Sequence, residues 1–195
     1  MSELIELKDI KVGMIGLSGG DTLIQKGIRF FTGSIFSHSF VVIDGPNNIK
    51  SVLETTSTLV SVSPLDRKVN EPDWVQIWEP IAPDEYKKYA ISETYKKFVG
   101  KRYGYESYFW FIYRWIVRKF GYEPTKMWRS FSKGVTCTEL SCNYLFKIGS
   151  YFPELFKNDL NTYAPQELYE IMNNNQDFFR LKGWLKLPSL KRGVI

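Results

Sequence analysis

His38 is the only histidine in the chain, and it stands at the head of an apolar run, Ser39-Phe40-Val41-Val42-Ile43. If any step needs an imidazole from this chain, His38 must supply it. Nearly a hundred residues later comes Thr136-Cys137-Thr138-Glu139-Leu140. Thr-x-x-Glu fits the reciprocal cap of a helix N-terminus, with Thr136 as the N-cap and Cys137 at the first helical position. A thiol there meets unpaired backbone N–H groups and the positive end of the helix dipole. With an imidazolium beside it, such a thiol titrates at ~3.5–7.5 instead of ~8.5. The same N–H groups can hold the oxyanion of an acyl-transfer intermediate. Glu54 lies in the otherwise apolar stretch Val52-Leu53-Glu54-Thr55, one hairpin from His38. A carboxylate there is costly unless it is paired. Pairing with the imidazole would orient the ring and favour its charged form; the alternative is that Glu54 ends its strand in water. Each signal has a plain reading as well: Ser/Thr-x-x-Glu is a common cap, and a buried cysteine is usually inert packing.

The elements that must position these groups can be read from pattern. Asp21 is a candidate N-cap for a helix over about 22–31, whose apolar face is Leu23, Ile24, Gly27, Ile28 and Phe31. Strands are expected at 37–43 and 49–55, joined by the dense turn Asp44-Gly45-Pro46-Asn47-Asn48. Two more are expected at 59–62 and 74–78, each closed by a proline. A helix opens at Pro83 and stops before Gly100, and most of 102–120 reads as a second. The cysteine helix runs from 137 to near Gly149. A short helix follows Pro165, and a last strand lies at about 178–181. Consecutive strands followed by helices give an α+β class with an antiparallel sheet packed against helices.

Composition sets bounds. The 195 residues suit one domain, with 44% hydrophobic and 24% charged residues, ordinary for a globular chain. Aromatic content is high at 16%. The net charge is +5, matched by five basic residues between Arg180 and Arg192 with no acid among them. That basic tail, at about 182–195, is read as a solvated one, since no nucleic-acid motif accompanies it. No nucleic-acid partner is expected. Cys137 and Cys142 lie five apart on one expected helix and cannot easily bridge. No metal site is expected from two cysteines and one histidine, and no cofactor. The N-terminus lacks the apolar core of a secretory signal, and no run approaches the ~20 apolar residues of a membrane span. A cytoplasmic location is expected.

Six segments recur in order: Thr32-Gly33-Ser34-x-x-Ser37-His38-Ser39-Phe40-Val41-Val42, Val52-Leu53-Glu54-Thr55, Pro64-Leu65, Gly100-Lys101-Arg102-Tyr103, Cys137-Thr138-Glu139-Leu140 and Ala164-Pro165-Gln166-Glu167-Leu168. Over about residues 10–175 the chain resembles the circularly permuted papain-like cysteine hydrolases of the NlpC-type superfamily, in the branch of YiiX/YebB-like proteins. There the histidine precedes the cysteine, the reverse of ordinary papain. The resemblance implies Cys137 as nucleophile, His38 as general base and Glu54 as the residue that orients it. Tyr103 matches a tyrosine near the site, and Ser37 and Thr136 join it as candidate substrate-binding residues. Gly13 is followed by Met14, where the family often has Gly-Asp, and the aromatic and basic stretch at about 105–133 looks like an insertion. The implied activity is cleavage of a peptide-like amide, of the kind found in cell-wall peptides. Two alternatives stand beside it. One is a lipid-directed thioesterase or acyltransferase similar to lecithin:retinol acyltransferase. The other is an inactive binding module on the same fold. The expected partner is a peptide-like or acyl substrate. Peripheral membrane contact is not favoured, because large aromatics are needed to fill the layers between sheet and helices.

Overall fold

The computed structural model describes residues 3–71, 73–128, 134–149 and 152–187. Six strands form one antiparallel sheet: β1 (Ile15–Gly19), β2 (His38–Asp44), β3 (Lys50–Thr55), β4 (Val60–Pro64), β5 (Trp74–Pro80) and β6 (Phe179–Lys186). Their spatial order is β4-β3-β2-β1-β5-β6. The turn at Pro46–Asn48 joins β2 to β3, with Asn47 and Asn48 in the left-handed region that asparagine tolerates. Among the described residues six α-helices accompany the sheet: α1 (Leu23–Thr32), α2 (Arg67–Asn70), α3 (Asp84–Phe98), α4 (Ser107–Arg118), α5 (Cys137–Lys147) and α6 (Pro165–Asn174). The α+β class with an antiparallel sheet is as the strand pattern implied.

Strand alternation divides the core in two. Val41, Ile43 and Leu53 face Leu140, Tyr144 and Leu145 of α5, with Ala90 and Phe98 of α3 behind them. On the opposite face Phe40, Val42 and Val52 pack with Ile10, Met14, Leu65, Val75 and Ile77. Gly16 pairs with Phe40 across the β1–β2 ladder, and a Cβ there would lie 2.0 Å from the Phe40 ring. Only a missing side chain lets that ring lie flat across β1.

The chain differs from its sequence reading in three places. The N-cap of α1 is Thr22, not Asp21: Thr22 accepts from the Gln25 N–H, and the Gln25 side chain returns a bond to Thr22 N. Both candidates are good caps, and the glutamine three residues on selects Thr22. None of the residues of α1 is buried, although its apolar stripe is real; Leu23 is 88% exposed. The last strand continues past Leu181 to Lys186, so the first part of the expected basic tail is sheet. Lys182 pairs with Glu79 at 3.4 Å, and Lys186 Nζ donates to Glu71 O at 2.6 Å. An edge strand carries lysines readily. The rest of that tail, 188–195, and positions 129–133 of the expected insertion lie outside the described residues.

The segment N-terminal to β1 lies beside β6. Ile5 N donates to Trp184 O and Trp184 N to Glu3 O, a parallel bridge between Leu4 and Trp184. Within the aromatic segment, Trp110 is fully buried, while Trp115 is half-buried against Phe30 and Phe31 with Lys119 over its ring. Arg114, buried in the same helix, donates to Glu123, Glu167 and Thr162 O, tying α4 to α6. No helix among the described residues is long and apolar enough to cross a membrane.

Candidate active site

Thr136 caps α5 as its sequence implies: its hydroxyl accepts from Glu139 N at 3.1 Å. That leaves Cys137 at the first helical position, 5% exposed, with backbone N–H groups that lack intrahelical acceptors. α5 is fixed against the sheet by a buried hydrogen bond at its second turn, from Ser141 Oγ to Ser39 Oγ at 2.9 Å, and by Tyr144 Oη to Gly13 O at 2.8 Å. Ser39 is the neighbour of His38, so the Ser–Ser bond sets the cysteine helix in register with the histidine strand. Sequence reading did not find it, because a serine in a strand carries no signal by itself.

His38 is the first residue of β2 and stands at the end of the sheet, between its two faces. Its Nε2 meets Glu54 Oε2 at 2.8 Å. The Cys137 thiol and the same ring are coupled in charge, each favouring the ionised form of the other. With Nε2 engaged, Nδ1 is the ring nitrogen left for sulfur. The three residues singled out by type and spacing are thus brought together.

The Glu54 carboxylate is buried on the sheet face opposite α5, and its surroundings reach beyond the three. Oε2 also takes the ammonium of Lys68 at 2.9 Å, and Oε1 accepts from Ser63 Oγ at 2.7 Å. Lys68, itself buried, bridges to Glu71 at 3.0 Å. A chain of alternating charge therefore runs from the thiol through imidazole, carboxylate and ammonium to Glu71. Neither Ser63 nor Lys68 was visible as a functional residue in the sequence. Ser63 follows the polar alternation of β4, a weak signal; Lys68 sits on a four-residue helix with no periodicity at all.

These contacts set the protonation states. Burial opposes a charged imidazole, but Cys137 and Glu54 together overcome it and raise His38 to about 10. Burial would likewise raise Glu54, yet the bond and charge of His38 and the charge of Lys68 hold it well below the usual carboxylate range. Lys68 is raised: burial works against its charge, and Glu54 and Glu71 outweigh it. For Cys137 burial favours the thiol, while His38, the Ser39 N–H and the Thr138 hydroxyl favour the thiolate; the thiolate wins and the pKa falls. Cys142, one turn further into the core, is pushed well up by burial and nearby acids. The two cysteines of one helix are thus shifted in opposite directions.

A polar cleft of about 300 Å³ opens on the His38–Glu54 side, bounded by Ser37, Lys68, Tyr103 and Tyr105 among others. Tyr103 is buried, and its hydroxyl shares a 2.7 Å hydrogen bond with Tyr108. Ser37 is buried with its hydroxyl unpartnered among the described residues. Two of the three expected substrate-binding residues, Ser37 and Tyr103, border the cleft. Thr136 does not: it is absent from the wall, and its hydroxyl is committed to the cap. Among the described residues no group of three or more His, Cys, Asp and Glu side chains is placed to hold a metal ion.

No family model matches the chain, and no curated protein matches it. Among solved structures it is similar to a crystal structure of the metalloprotein YiiX from Escherichia coli O157:H7 (DUF1105). The two share 14% identity over 91% of this chain and 96% of that one, with a TM-score of 0.49.

Proposed function

We propose that the protein is a cysteine hydrolase that cleaves an amide or ester carbonyl on Cys137, and that its fold is a circularly permuted papain-like one with His38 ahead of the cysteine. The observation that carries this reading is an imidazole held on Nε2 by a buried carboxylate and coupled in charge to the thiol at the first position of α5.

In this mechanism the thiol proton resides on His38, and the Cys137 thiolate forms a C–S bond to the carbonyl carbon. The oxyanion is held by backbone N–H at the start of α5. Collapse breaks the bond to the leaving amine or alcohol, which takes its proton from His38. The thioester is then attacked by water, which gives a proton to the neutral imidazole, and the acid leaves with the thiolate restored. Glu54 keeps the ring oriented and stabilises its charge, as the carboxylate does in the serine triads. Peptide-like amides, including cell-wall peptides, are the substrates that the sequence resemblance suggests.

Labelling with iodoacetamide at neutral pH tests the reading, with modified residues mapped by mass spectrometry. Cys137 should label at least ~100-fold faster than Cys142, and His38→Ala should abolish that difference. Equal labelling of both cysteines, or rapid labelling of Cys137 without His38, would overturn it.

A further inference from the structure

Two buried hydroxyls border the polar cleft without a protein partner. Ser37 and Thr55 are each 2% exposed, and both line the opening beside His38. Neither side-chain oxygen has a hydrogen-bond partner among the described residues. Thr22, Thr56, Tyr103, Tyr105 and Tyr108 on the same wall commit their hydroxyls to other groups. A buried hydroxyl left unpaired costs free energy, and a bound polar molecule removes that cost. We propose that Ser37 and Thr55 hold the water that hydrolyses the thioester on Cys137. The proposal rests on the cysteine-hydrolase reading.

Strand alternation puts both residues on the thiol side of the ring. Ser37 N donates to Ser18 O at 2.9 Å, which continues the β1–β2 pairing to the residue before β2. Ser37 and Ser39 fall in step with Val41, and Thr55 with Leu53; Val41 and Leu53 are cross-strand partners on the α5 face. Glu54 holds Nε2 from the opposite face, so Nδ1 is turned toward the face that carries these hydroxyls. Ser39, beside them, has its hydroxyl committed to Ser141. The cleft, at about 300 Å³, has room for a water, whose share of liquid volume is roughly 30 Å³. Of the water's two protons, one is accepted by a hydroxyl; the other hydroxyl donates to one lone pair. The second proton passes to neutral Nδ1 as the second lone pair forms the bond to the thioester carbonyl carbon. Collapse breaks the C–S bond, releases the acid and restores the thiolate beside an imidazolium. A water held in place ahead of other nucleophiles makes hydrolysis, not acyl transfer, the fate of the thioester.

The test uses 4-nitrophenyl acetate in stopped flow, where the burst of nitrophenolate reports acylation and the steady rate reports deacylation. Ser37→Ala and Thr55→Val should each slow deacylation about tenfold relative to acylation, the effect of one hydrogen bond. Thr55→Ser keeps the hydroxyl and should recover most of that loss. With hydroxylamine added, the ratio of hydroxamate to acid should rise at least ~10-fold in the Ser37→Ala/Thr55→Val double variant, since the competing nucleophile needs no such site. Equal slowing of both steps with an unchanged ratio marks a packing defect and overturns the assignment. A burst followed by unchanged deacylation and an unchanged ratio overturns it too, and leaves the hydrolase reading intact. No burst in the unaltered protein sinks the hydrolase reading, and the assignment with it. Where a variant loses its burst, a crystal structure of the unaltered protein decides. An ordered water within ~3.2 Å of both hydroxyl oxygens supports the site, and its absence overturns it.

Discussion

The Glu54 carboxylate accepts from His38 and Lys68 on one oxygen and from Ser63 on the other, so its charge serves two cations at once. Two side-chain changes separate its parts. Glu54→Gln should lower turnover on the order of 100-fold. It should also move the alkaline limb of the pH–rate profile downward from about 10, where His38 loses its proton, because the imidazolium keeps only the thiolate as partner. The acid limb belongs to the thiolate, so the profile is bell-shaped and its limbs describe the coupled pair. Lys68→Met should instead leave the alkaline limb in place or raise it, while destabilising the fold by roughly 3 kcal/mol in urea unfolding, since Glu54 and Glu71 lose a buried partner. If Lys68→Met lowers that limb as the Gln variant does, the division of roles is wrong. Stability has its own window. The raised imidazole contributes fully below its ordinary pKa and ceases to as pH passes about 10. The lowered Glu54 contributes above its ordinary pKa and loses that contribution as pH falls toward its native value. At this scale the sequence was legible where a residue type was unique or conspicuous: the only imidazole, a capped cysteine, an acid among aliphatics. Lys68 was illegible because a lysine after a strand ordinarily reaches water, and only the folded chain turns its ammonium inward.

Among the elements, the sheet and most helix boundaries followed from periodicity and from Gly and Pro punctuation. The exceptions share a cause: periodicity reveals that a helix has an apolar stripe, not what lies against it. α1 carries the apolar stripe its spacing implied, yet none of its residues is buried. In β6 the interleaved Lys182 and Gly183 hide the strand, although β5 supplies its ladder partners and Glu79 a counter-charge. α4 shows the reverse case, a helix whose exposed aromatic composition hides a deep polar anchor. Its Arg114 reaches Glu123, Glu167 and Thr162 O. Arg114→Leu should therefore cost about 3–5 kcal/mol, because two partly exposed carboxylates lose a buried cation. Arg114→Lys should recover only part of it, since an ammonium cannot span both acids in the plane of a guanidinium. Thermal unfolding of the two variants would check the order; equal stability of Arg114→Leu and the unaltered chain would contradict it.

Across the whole molecule, the site is assembled from residues far apart in the chain, with β2 and β3 supplying the imidazole and carboxylate and α5 the thiol. The order of elements along the chain matters less to this geometry than the sheet that orders them in space. The bridge between Leu4 and Trp184 bears on this directly. It puts the early segment and the last described strand side by side and running the same way, so residue 187 lies roughly 13 Å beyond the segment's start at the usual strand rise. A Gly/Ser loop of about six residues would span that return. Closing the chain there and cutting it between Thr125 and Lys126, both exposed and outside helix and strand, would make a protein in which the cysteine is synthesised before the histidine. Such a rewired chain should fold to the same sheet, by circular dichroism and urea midpoint, and should label Cys137 as readily as its parent. The nearness of Leu4 and Trp184 would then make the direction in which this site is read along the gene a matter of bookkeeping, not of chemistry.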